Sequence, residues 1–356
     1  MRVGILTFLH NENYGSILQA WALRQALTGL GVDAVHLDYC PDSREKLRNL
    51  VRSGNSPALL VEGLRKRGVK AGQEGARRKA AAFADFRREQ LRLSAPCRDG
   101  AALAAAAQDC DALISGSDQI WSPVWLNPVY YLSFAENRRL LAYAPSFGVE
   151  RIDSAGKAKR IAALLSRYEA VSVRERQGAE LVQRLTGTLP PVMPDPVFLL
   201  SREDWMRFAA PPERKEPYLA CYFIGNRPAY WDRVKELSDR LGLSVLVIPV
   251  TEEAYASGYP LAAGLSPQEW VGLLAGAAHI LTDSFHGAAF SALLGRQATV
   301  LRRYEDGDVE SKNSRIDNLF RELGLSGREE VWPWERIDAR LEEMRLRGTG
   351  WLRERL

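Results

Sequence analysis

The stretch HILTDSFHGAAFSALLG, residues 279–295, decides the fold class of this chain. Its first four residues are typical of a short buried strand. Asp283 and Ser284 then predict helix caps, because their side-chain oxygens can accept hydrogen bonds from the N–H groups of a first helical turn. Residues 285–294 have the apolar content of a packed helix, which Gly295 ends. The stretch therefore predicts a strand that leads directly into a helix, as in α/β folds.

Strand-like and helix-like stretches alternate through the rest of the chain, and this alternation predicts parallel sheets. A segment with four prolines and no helical period, residues 186–200, interrupts the pattern, which then restarts. We predict an N-terminal α/β lobe at 1–190, a C-terminal α/β lobe at 191–331 and a helical tail at 332–356. A cleft between two such lobes is the default site for a ligand.

Length and composition exclude several classes of protein. With 356 residues, of which 46% are apolar, the chain can form sizeable cores. Its net charge of +4 is too small for a nucleic-acid binder, so we expect no nucleic-acid partner. The four cysteines are far apart and have no histidine at ligand spacing, so we predict no metal site and a reducing, cytoplasmic location. The N-terminal residues predict a first strand rather than a signal peptide, and no apolar run reaches the length of a membrane span.

Residues 65–92 form a basic segment with ten basic and three acidic side chains. Such a charge run is most often the solvated face of helices, and we favour that interpretation. The alternative is peripheral contact with an anionic membrane surface or with a lipid-linked phosphate. The second interpretation would place the protein at the inner face of a membrane.

Polar, small or glycine residues follow several of the predicted strands. They occur in the stretches HNENYGS, GSDQI, VRERQG and TDSFHG. Because open α/β sheets bind ligands at the carboxyl ends of their strands, we expect a cleft that holds a polar ligand. Some of the candidate ligand-binding residues could instead have a purely structural role. Asp118 could form a cap or a turn, and Arg174 and Arg315 could each form a salt bridge.

His286 falls in the first turn of the predicted helix, at the end of a strand. A helix N-terminus attracts anions through its N–H groups and dipole, and histidine can transfer protons near neutral pH. The structural alternative is a half-buried histidine that completes the cap. We expect His279 and His36 to be structural, whereas the role of His10 stays open.

Taken in order, these motifs resemble the polysaccharide pyruvyl transferase family from Arg2 to about Leu325. The resemblance is carried by GILTFLHNENYGSILQAWALRQAL, LISGSDQIWSP, YLSFA, LAYAPSFG, AVSVRERQGAELV, PDPVFLL, LTDSFHGAAFSALL and SRIDNLFRELGL. It implies two Rossmann-like lobes in a glycosyltransferase-B-like arrangement, with the active site in the cleft between them. It also implies transfer of the enolpyruvyl group of phosphoenolpyruvate onto two hydroxyls of a sugar in an exopolysaccharide, a cell-wall polysaccharide or a lipid-linked precursor. The products would be a cyclic pyruvate ketal and phosphate.

The resemblance and the placement of the motifs together give the predicted site. His286 is the predicted catalytic acid–base residue, because ketal formation must protonate the methylene of the donor. The predicted donor-binding residues are Arg174, Ser284, Gly287 and Arg315. The predicted acceptor-binding residues are Asn13, Tyr14, Gly15, Ser16, Asp118 and Gln119. Phosphoenolpyruvate is a co-substrate, and we expect no other cofactor and no metal.

Two alternatives stay open at this point. Many members of the family carry arginine and leucine before the motif histidine, whereas Ser284 and Phe285 stand there in this chain. A two-lobed glycosyltransferase that uses a nucleotide sugar would share the expected fold. A non-catalytic carbohydrate-binding relative would share the fold and could lack the arginine. The sequence does not fix the oligomeric state.

Overall fold

A computed structural model describes residues 1–53, 74–212, 214–303, 314–326 and 331–356 of the chain. These residues form two parallel β-sheets with α-helices between the strands. The fold class predicted from the sequence, α/β with two Rossmann-like lobes, is therefore confirmed. The arrangement of the two lobes and a site in a cleft between them stay predictions.

The first sheet has the strand order β2-β1-β3-β4-β5, and its neighbouring strands are all parallel. Its strands are β1 (Arg2–Leu6), β2 (Asp33–His36), β3 (Ala112–Ser115), β4 (Arg139–Ala142) and β5 (Ala170–Val171). The register aligns Val3 of β1 with Ala34 of β2 and with Ala112 of β3. Every residue of β3 is buried, as expected for a central parallel strand that helices cover on both faces.

Helices connect these strands, and the sequence marks where most of them begin. They are α1 (Tyr14–Gly29), α2 (Ser43–Arg52), α3 (Glu74–Gln90), α4 (Gly100–Ala106), α5 (Ala155–Leu165) and α6 (Arg176–Thr186). The side chains of Asn13, Asp42, Asp99 and Ser154 each accept a hydrogen bond from the amide three residues further on, so they cap α1, α2, α4 and α5. Gly187, with φ of +80°, ends α6.

The second sheet has the strand order β7-β6-β8-β9 and is also entirely parallel. Its strands are β6 (Tyr218–Tyr222), β7 (Ser244–Ile248), β8 (His279–Thr282) and β9 (Ala298–Val300). β8 is the strand that was predicted at the start of the deciding stretch, and all four of its residues are buried.

The helices that follow in the chain also agree with the sequence pattern. They are α7 (Arg202–Phe208), α8 (Ala229–Leu241), α9 (Glu252–Tyr255), α10 (Pro267–Gly276), α11 (Phe285–Leu293), α12 (Ser314–Glu322) and α13 (Trp334–Arg355). Ser266 and Glu269 form a reciprocal capping box at the start of α10. α11 is the helix of the deciding stretch, and Gly295 with φ of +66° follows its end.

The described residues divide by their contacts into two compact units. The first unit contains residues 1–53, 84–199 and 345–356. The second unit contains residues 74–83 and the described part of 200–344. The helices α3 and α13 therefore each contribute residues to both units.

These bounds differ from the division predicted at residues 190 and 331. The 3₁₀-helix Pro196–Leu199 packs against α1, and Leu199 lies in the same apolar core as Leu23 of α1. This packing draws the end of the proline-rich segment into the first unit.

The end of α13 completes the core of the first unit. Trp351 and Leu352 are buried there together with Val3 of β1, and the ring of Trp351 lies 5.8 Å from that of Tyr143. Gly348 permits this approach, because a Cβ atom at Gly348 would lie 2.5 Å from the Tyr143 hydroxyl oxygen. The last turns of α13 are thus part of the first unit's core.

The basic segment predicted at 65–92 is only partly described, because residues 65–73 lie outside the described residues. In α3, Lys79 is buried and its ammonium lies 5.5 Å from the centre of the Phe83 ring. Arg88 pairs at 2.8 Å with an aspartate one turn earlier. Contact of this segment with a membrane surface stays the untested alternative to a solvated helix face. Among the described residues, no helix combines the length and the apolar character that crossing a membrane requires.

In each sheet the strand order reverses at one point, which lies between β1 and β3 in the first sheet and between β6 and β8 in the second. Connections that leave the two strands at such a point go to opposite faces of the sheet, so a crevice opens at the carboxyl ends of the strands. This crevice is the usual ligand site of an open α/β sheet. Several polar residues that the sequence singled out follow these strands.

Candidate functional site

In the first unit, a serine–aspartate hydrogen bond links the segments that follow β1 and β3. Ser16 lies in the first turn of α1, and its hydroxyl donates to the carboxylate of Asp118, which follows β3. The Asn11 amide group donates to the Ser16 hydroxyl oxygen at 3.1 Å. Asn13 caps α1 by accepting from the Ser16 amide at 3.2 Å. The predicted acceptor residues Asn13, Ser16 and Asp118 are therefore neighbours.

The backbone of Asp118 adopts an unusual conformation, with φ of +73°. Positive φ is uncommon outside glycine, although aspartate tolerates it better than most residues. The Asp118 carboxylate accepts from the Gln119 amide at 2.8 Å, and its carbonyl accepts from the Ser146 amide at 2.8 Å. Such conformations persist where the surroundings hold them, often at functional sites. The carboxylate is thus held in one orientation at the edge of the sheet.

The other predicted acceptor residues have clear packing roles. Tyr14 and Gly15 are buried in the first turn of α1. Gln119 is half-buried and lies so close to Gly148 that a side chain at Gly148 would collide with it. Contacts of these three residues with an acceptor stay predictions.

Arg174 is buried in an ion-pair network just after β5. Its side chain is 2% exposed, and its guanidinium contacts Asp195 at 2.7 Å and Glu175 at 3.0 Å. Burial by itself lowers the pKa of Arg174, but Glu175 and Asp195 raise it, and the net shift is upward. A donor anion would therefore have to compete with two carboxylates that already neutralise this cation.

Asp195 connects this network to the loop that follows β3. Its side chain is fully buried. One carboxylate oxygen accepts from the Ser117 hydroxyl at 3.4 Å, and the other accepts from the Val197 amide at 3.1 Å. Ser117 precedes Asp118, whose charge also acts on Arg174. The first-unit cluster is the name used below for Ser16, Asp118, Arg174 and Asp195.

In the second unit, Asp283 has a different role from the helix cap that was predicted, and that prediction is wrong. Its carboxylate accepts from the amides of Ile224 and Gly225, both at 2.7 Å, in the loop that follows β6. Because β6 lies beside β8, this loop presents its N–H groups to the end of β8. A Cβ atom at Gly225 would lie 2.7 Å from the Asp283 carboxylate. Arg303 pairs with the same carboxylate at 3.0 Å.

Ser284 caps α11, as predicted, by accepting from the Gly287 amide at 3.3 Å. Thr282 holds the backbone of Ser284 in place. Its hydroxyl donates to the Tyr222 carbonyl at 2.6 Å and accepts from the Ser284 amide at 3.1 Å. Gly287 packs directly on Thr282, and a Cβ atom at Gly287 would lie 3.0 Å from two carbons of the threonine. The start of α11 is therefore closely packed.

His286 lies in the first turn of α11, directly after the crevice between β6 and β8. The residue is 8% exposed, and its ring is nearly perpendicular to that of Phe285, with the ring centres 5.1 Å apart. The N-terminus of a helix attracts anions. His286 is therefore an acid–base side chain at a position that favours a bound anion.

Arg315 lies in α12, which packs against α11. Residues 304–313, which precede this helix, lie outside the described residues. Contact of Arg315 with a donor stays a prediction.

One group of polar residues was missed from the sequence. His10 Nε2 and an Asp38 carboxylate oxygen are 2.5 Å apart, and Cys40 lies beside them. The residues come from loops after two different strands, β1 and β2, so no spacing along the chain marks them. The only available signal was their position at strand ends.

In both sheets, polar side chains follow the strands at the point where the strand order reverses. This arrangement is typical of α/β proteins that bind a ligand. A comparison with protein families is more specific. The model of the family described as "Polysaccharide pyruvyl transferase" matches residues 13–303, and this chain belongs to that family. A comparison with curated proteins found no match.

Several solved structures resemble the chain at low sequence identity. A UDP-GlcNAc 2-epimerase from Neisseria meningitidis, bound to UDP-GlcNAc, is 10% identical, with 99% of each chain covered and a TM-score of 0.48. A UDP-GlcNAc 2-epimerase from Methanocaldococcus jannaschii is 10% identical, with 97% of this chain and 99% of that chain covered and a TM-score of 0.45. A heptosyltransferase from E. coli, solved with ADP, is 12% identical, with 87% and 89% covered and a TM-score of 0.41.

Proposed function

We propose that this protein is a ketal pyruvyltransferase. It transfers the enolpyruvyl group of phosphoenolpyruvate to two hydroxyls of a sugar in a polysaccharide or a lipid-linked precursor. Membership in the family supports this proposal. The observation that carries it is the position of His286, the residue that matches the family's motif histidine, in the first turn of α11 beside the crevice of the second sheet.

The proposed reaction balances without a redox partner. The methylene carbon of the donor takes up one proton, and the adjacent carbon becomes an oxocarbenium ion. One sugar hydroxyl forms a bond to that carbon, the bond to phosphate breaks, and the second hydroxyl closes the ring. The two hydroxyls lose two protons. One returns to the acid that protonated the methylene, and the other leaves with phosphate. No step needs a cofactor other than the donor itself.

His286 supplies the proton to the methylene or to the departing phosphate in this proposal. The N-terminus of α11 disfavours a charged imidazole, whereas a bound phosphate dianion favours it. At contact distance the phosphate dominates, because a full charge at a few ångströms exceeds the partial charge of a helix end. Ser284 and Gly287 lie beside His286 and complete the donor side.

The donor carries a carboxylate and a phosphate, so the site needs cations. Arg174 and Arg315 are the cations proposed from the sequence. For Arg174 this role requires the donor to replace Asp195 or Glu175 as its partner. Arg303, whose side chain is 20% exposed next to Asp283, is a further cation in the second unit.

The acceptor sugar is proposed to bind at the crevice of the first unit. Asn13, Ser16 and Asp118 offer an amide, a hydroxyl and a carboxylate within one hydrogen-bonded group. Such groups match the hydroxyls of a sugar, which both donate and accept hydrogen bonds. The fixed backbone of Asp118 would keep its carboxylate oriented for this contact.

The test is a screen of glycan acceptors with phosphoenolpyruvate, read by mass spectrometry for the added pyruvyl group and by phosphate release. His286→Ala should lower turnover about a hundred-fold or more, the usual scale of general acid catalysis. His286→Gln should retain donor binding and still lose turnover, because an amide cannot transfer the proton. Turnover restored by glutamine would show that His286 binds or caps and is not the acid.

His279→Gln is the matched control. His279 lies in the same unit on β8, and its Nε2 lies 3.0 Å from the Thr299 hydroxyl. Loss of this histidine should leave turnover within a few-fold of the wild type. Binding of a nucleoside diphosphate in place of phosphoenolpyruvate would contradict the proposal and favour a glycosyltransferase. Binding of glycans without phosphate release would favour a non-catalytic carbohydrate-binding protein.

A further inference from the structure

Three side chains with metal-binding atoms meet in the first unit, at the carboxyl edge of its sheet. A ring nitrogen of His10, an Asp38 carboxylate oxygen and Cys40 Sγ all lie within 4.8 Å of one another. His10 follows β1, and the other two residues follow β2. Because β1 and β2 are parallel neighbours, their carboxyl ends meet at one edge, and this brings the three residues together.

Two of the three residues are held by backbone hydrogen bonds. The Asp38 amide donates to the Ser94 hydroxyl at 3.0 Å, and the Asp38 carbonyl accepts from the Cys97 amide at 2.8 Å. The Cys40 amide in turn donates to the Cys97 carbonyl at 2.9 Å. The segment after β2 is thereby fixed as an extended edge, and its aspartate and cysteine are in place before any ligand arrives.

His10 is the adjustable member of the group. Its side chain is 40% exposed, whereas that of Asp38 is 9% exposed, and the two atoms in contact are 2.5 Å apart. A tetrahedral ion with bonds of about 2.0–2.3 Å places its ligand atoms roughly 3.3–3.8 Å apart. His10 therefore has to turn away from Asp38 by about 1 Å to admit an ion. Its exposure leaves room for this movement.

We propose that His10, Asp38 and Cys40 form a binding site for a divalent cation of the zinc class. A set of one nitrogen, one oxygen and one sulfur ligand suits zinc or cobalt, whereas magnesium and calcium prefer oxygen ligands alone. Water would complete the coordination. The ion would tie the loop after β1, which leads to the Asn13 cap, to the edge after β2.

The charges around the site are compatible with a cation. The charge of Arg87 interacts with Asp38 and with Glu12, and the charge of Arg98 acts on Cys40. One guanidinium does not neutralise two carboxylates. A bound ion would also be neutralised in part by the Cys40 thiolate, since thiolate is the form of cysteine that binds metals. The steps of the proposed transfer reaction do not use this ion.

Cobalt(II) is the probe for this site, because thiolate ligation of cobalt gives a charge-transfer absorption band in the near ultraviolet. Protein dialysed against a chelator should bind one equivalent of cobalt with this band, and zinc should displace it. Cys40→Ser should abolish the band. His10→Ala should weaken binding by at least about ten-fold, the lower bound for loss of even a supporting residue at a metal site.

Cys110→Ser is the matched control, because Cys110 is also in the first unit but is not part of the group. This variant should keep the band and the affinity, with folding of every variant checked by circular dichroism. Absence of saturable binding by the wild-type protein would overturn the proposal. A band that survives in Cys40→Ser, or one that is lost equally in Cys110→Ser, would do the same. The measurement needs neither donor nor acceptor, so its outcome is independent of the proposed transfer reaction.

Discussion

Replacement of Arg174 by alanine should destabilise the first unit strongly and leave the second unit unchanged. The substitution leaves two carboxylates, Asp195 with 0% and Glu175 with 8% side-chain exposure, without their common cation. Removing one partner of a buried ion pair costs about 3–5 kcal/mol. Arg174→Lys should recover only part of this loss, because a single ammonium cannot reproduce the paired contacts of a guanidinium.

Hydrogen exchange followed by mass spectrometry can measure this effect for each unit separately. A loss of about 3–5 kcal/mol should accelerate amide exchange in β3 and β4 by roughly 10²–10⁴-fold, since each tenfold corresponds to about 1.4 kcal/mol. Exchange in β8 should not change. Urea unfolding by circular dichroism gives the corresponding change in the free energy of unfolding.

Arg139→Ala is the matched control for the loss of an arginine. Arg139 pairs with Glu169 at 2.7 Å, but the two side chains are 42% and 46% exposed. Exposed pairs typically contribute about 0–1 kcal/mol. Equal losses in Arg174→Ala and Arg139→Ala would refute the argument from burial. Unchanged stability with a large loss of phosphoenolpyruvate binding would instead make Arg174 a donor-binding residue only.

Two further predictions concern packing and pH. Gly287→Ala should lower the free energy of unfolding by about 1–3 kcal/mol, because the new methyl group collides with Thr282 and the surrounding core must shift, and urea titration measures this loss. A wild-type midpoint in that variant would show that the start of α11 can relax. Burial lowers the pKa of His36 from 6.5 to about 4, so between these values the unfolded state binds a proton that the folded state does not. Stability should therefore be fully present above pH 6.5 and fall by up to about 3 kcal/mol as the pH drops to 4. His36→Gln should reduce this pH dependence, and an unchanged dependence would assign it to other groups.

The sequence was sufficient to predict the elements around β8 and α11, because every local signal agreed there. The strand is buried throughout, Ser284 supplies the cap, and Gly295 supplies the positive φ that ends the helix. Asp283 stands beside Ser284 and is chemically an equally good cap. Its carboxylate instead binds the loop after β6, because β6 is the neighbour of β8 in the sheet. A cap motif does not reveal which strands are neighbours.

The candidate site was predicted less completely than the fold. Ser16 and Asp118 were each expected from their positions at strand ends, and their hydrogen bond agrees with that expectation. The pairing of Arg174 with Asp195 was not foreseen, because it depends on a tertiary contact between the end of β5 and the proline-rich segment. The group of His10, Asp38 and Cys40 depends in the same way on the pairing of β1 with β2.

The burial of Trp351 and Leu352 beside Val3 has a consequence for the order of events during synthesis on the ribosome. Residue 199 leaves the ribosome before the 145 residues of 200–344, and only then do residues 345–356 follow. At bacterial or eukaryotic elongation rates of 5–20 residues per second this delay lasts roughly 7–30 s. During that interval the nascent first unit exposes the apolar surface that α13 later covers. We expect the nascent first unit to bind chaperones that recognise apolar segments, because it can complete its core only after the whole second unit has been translated.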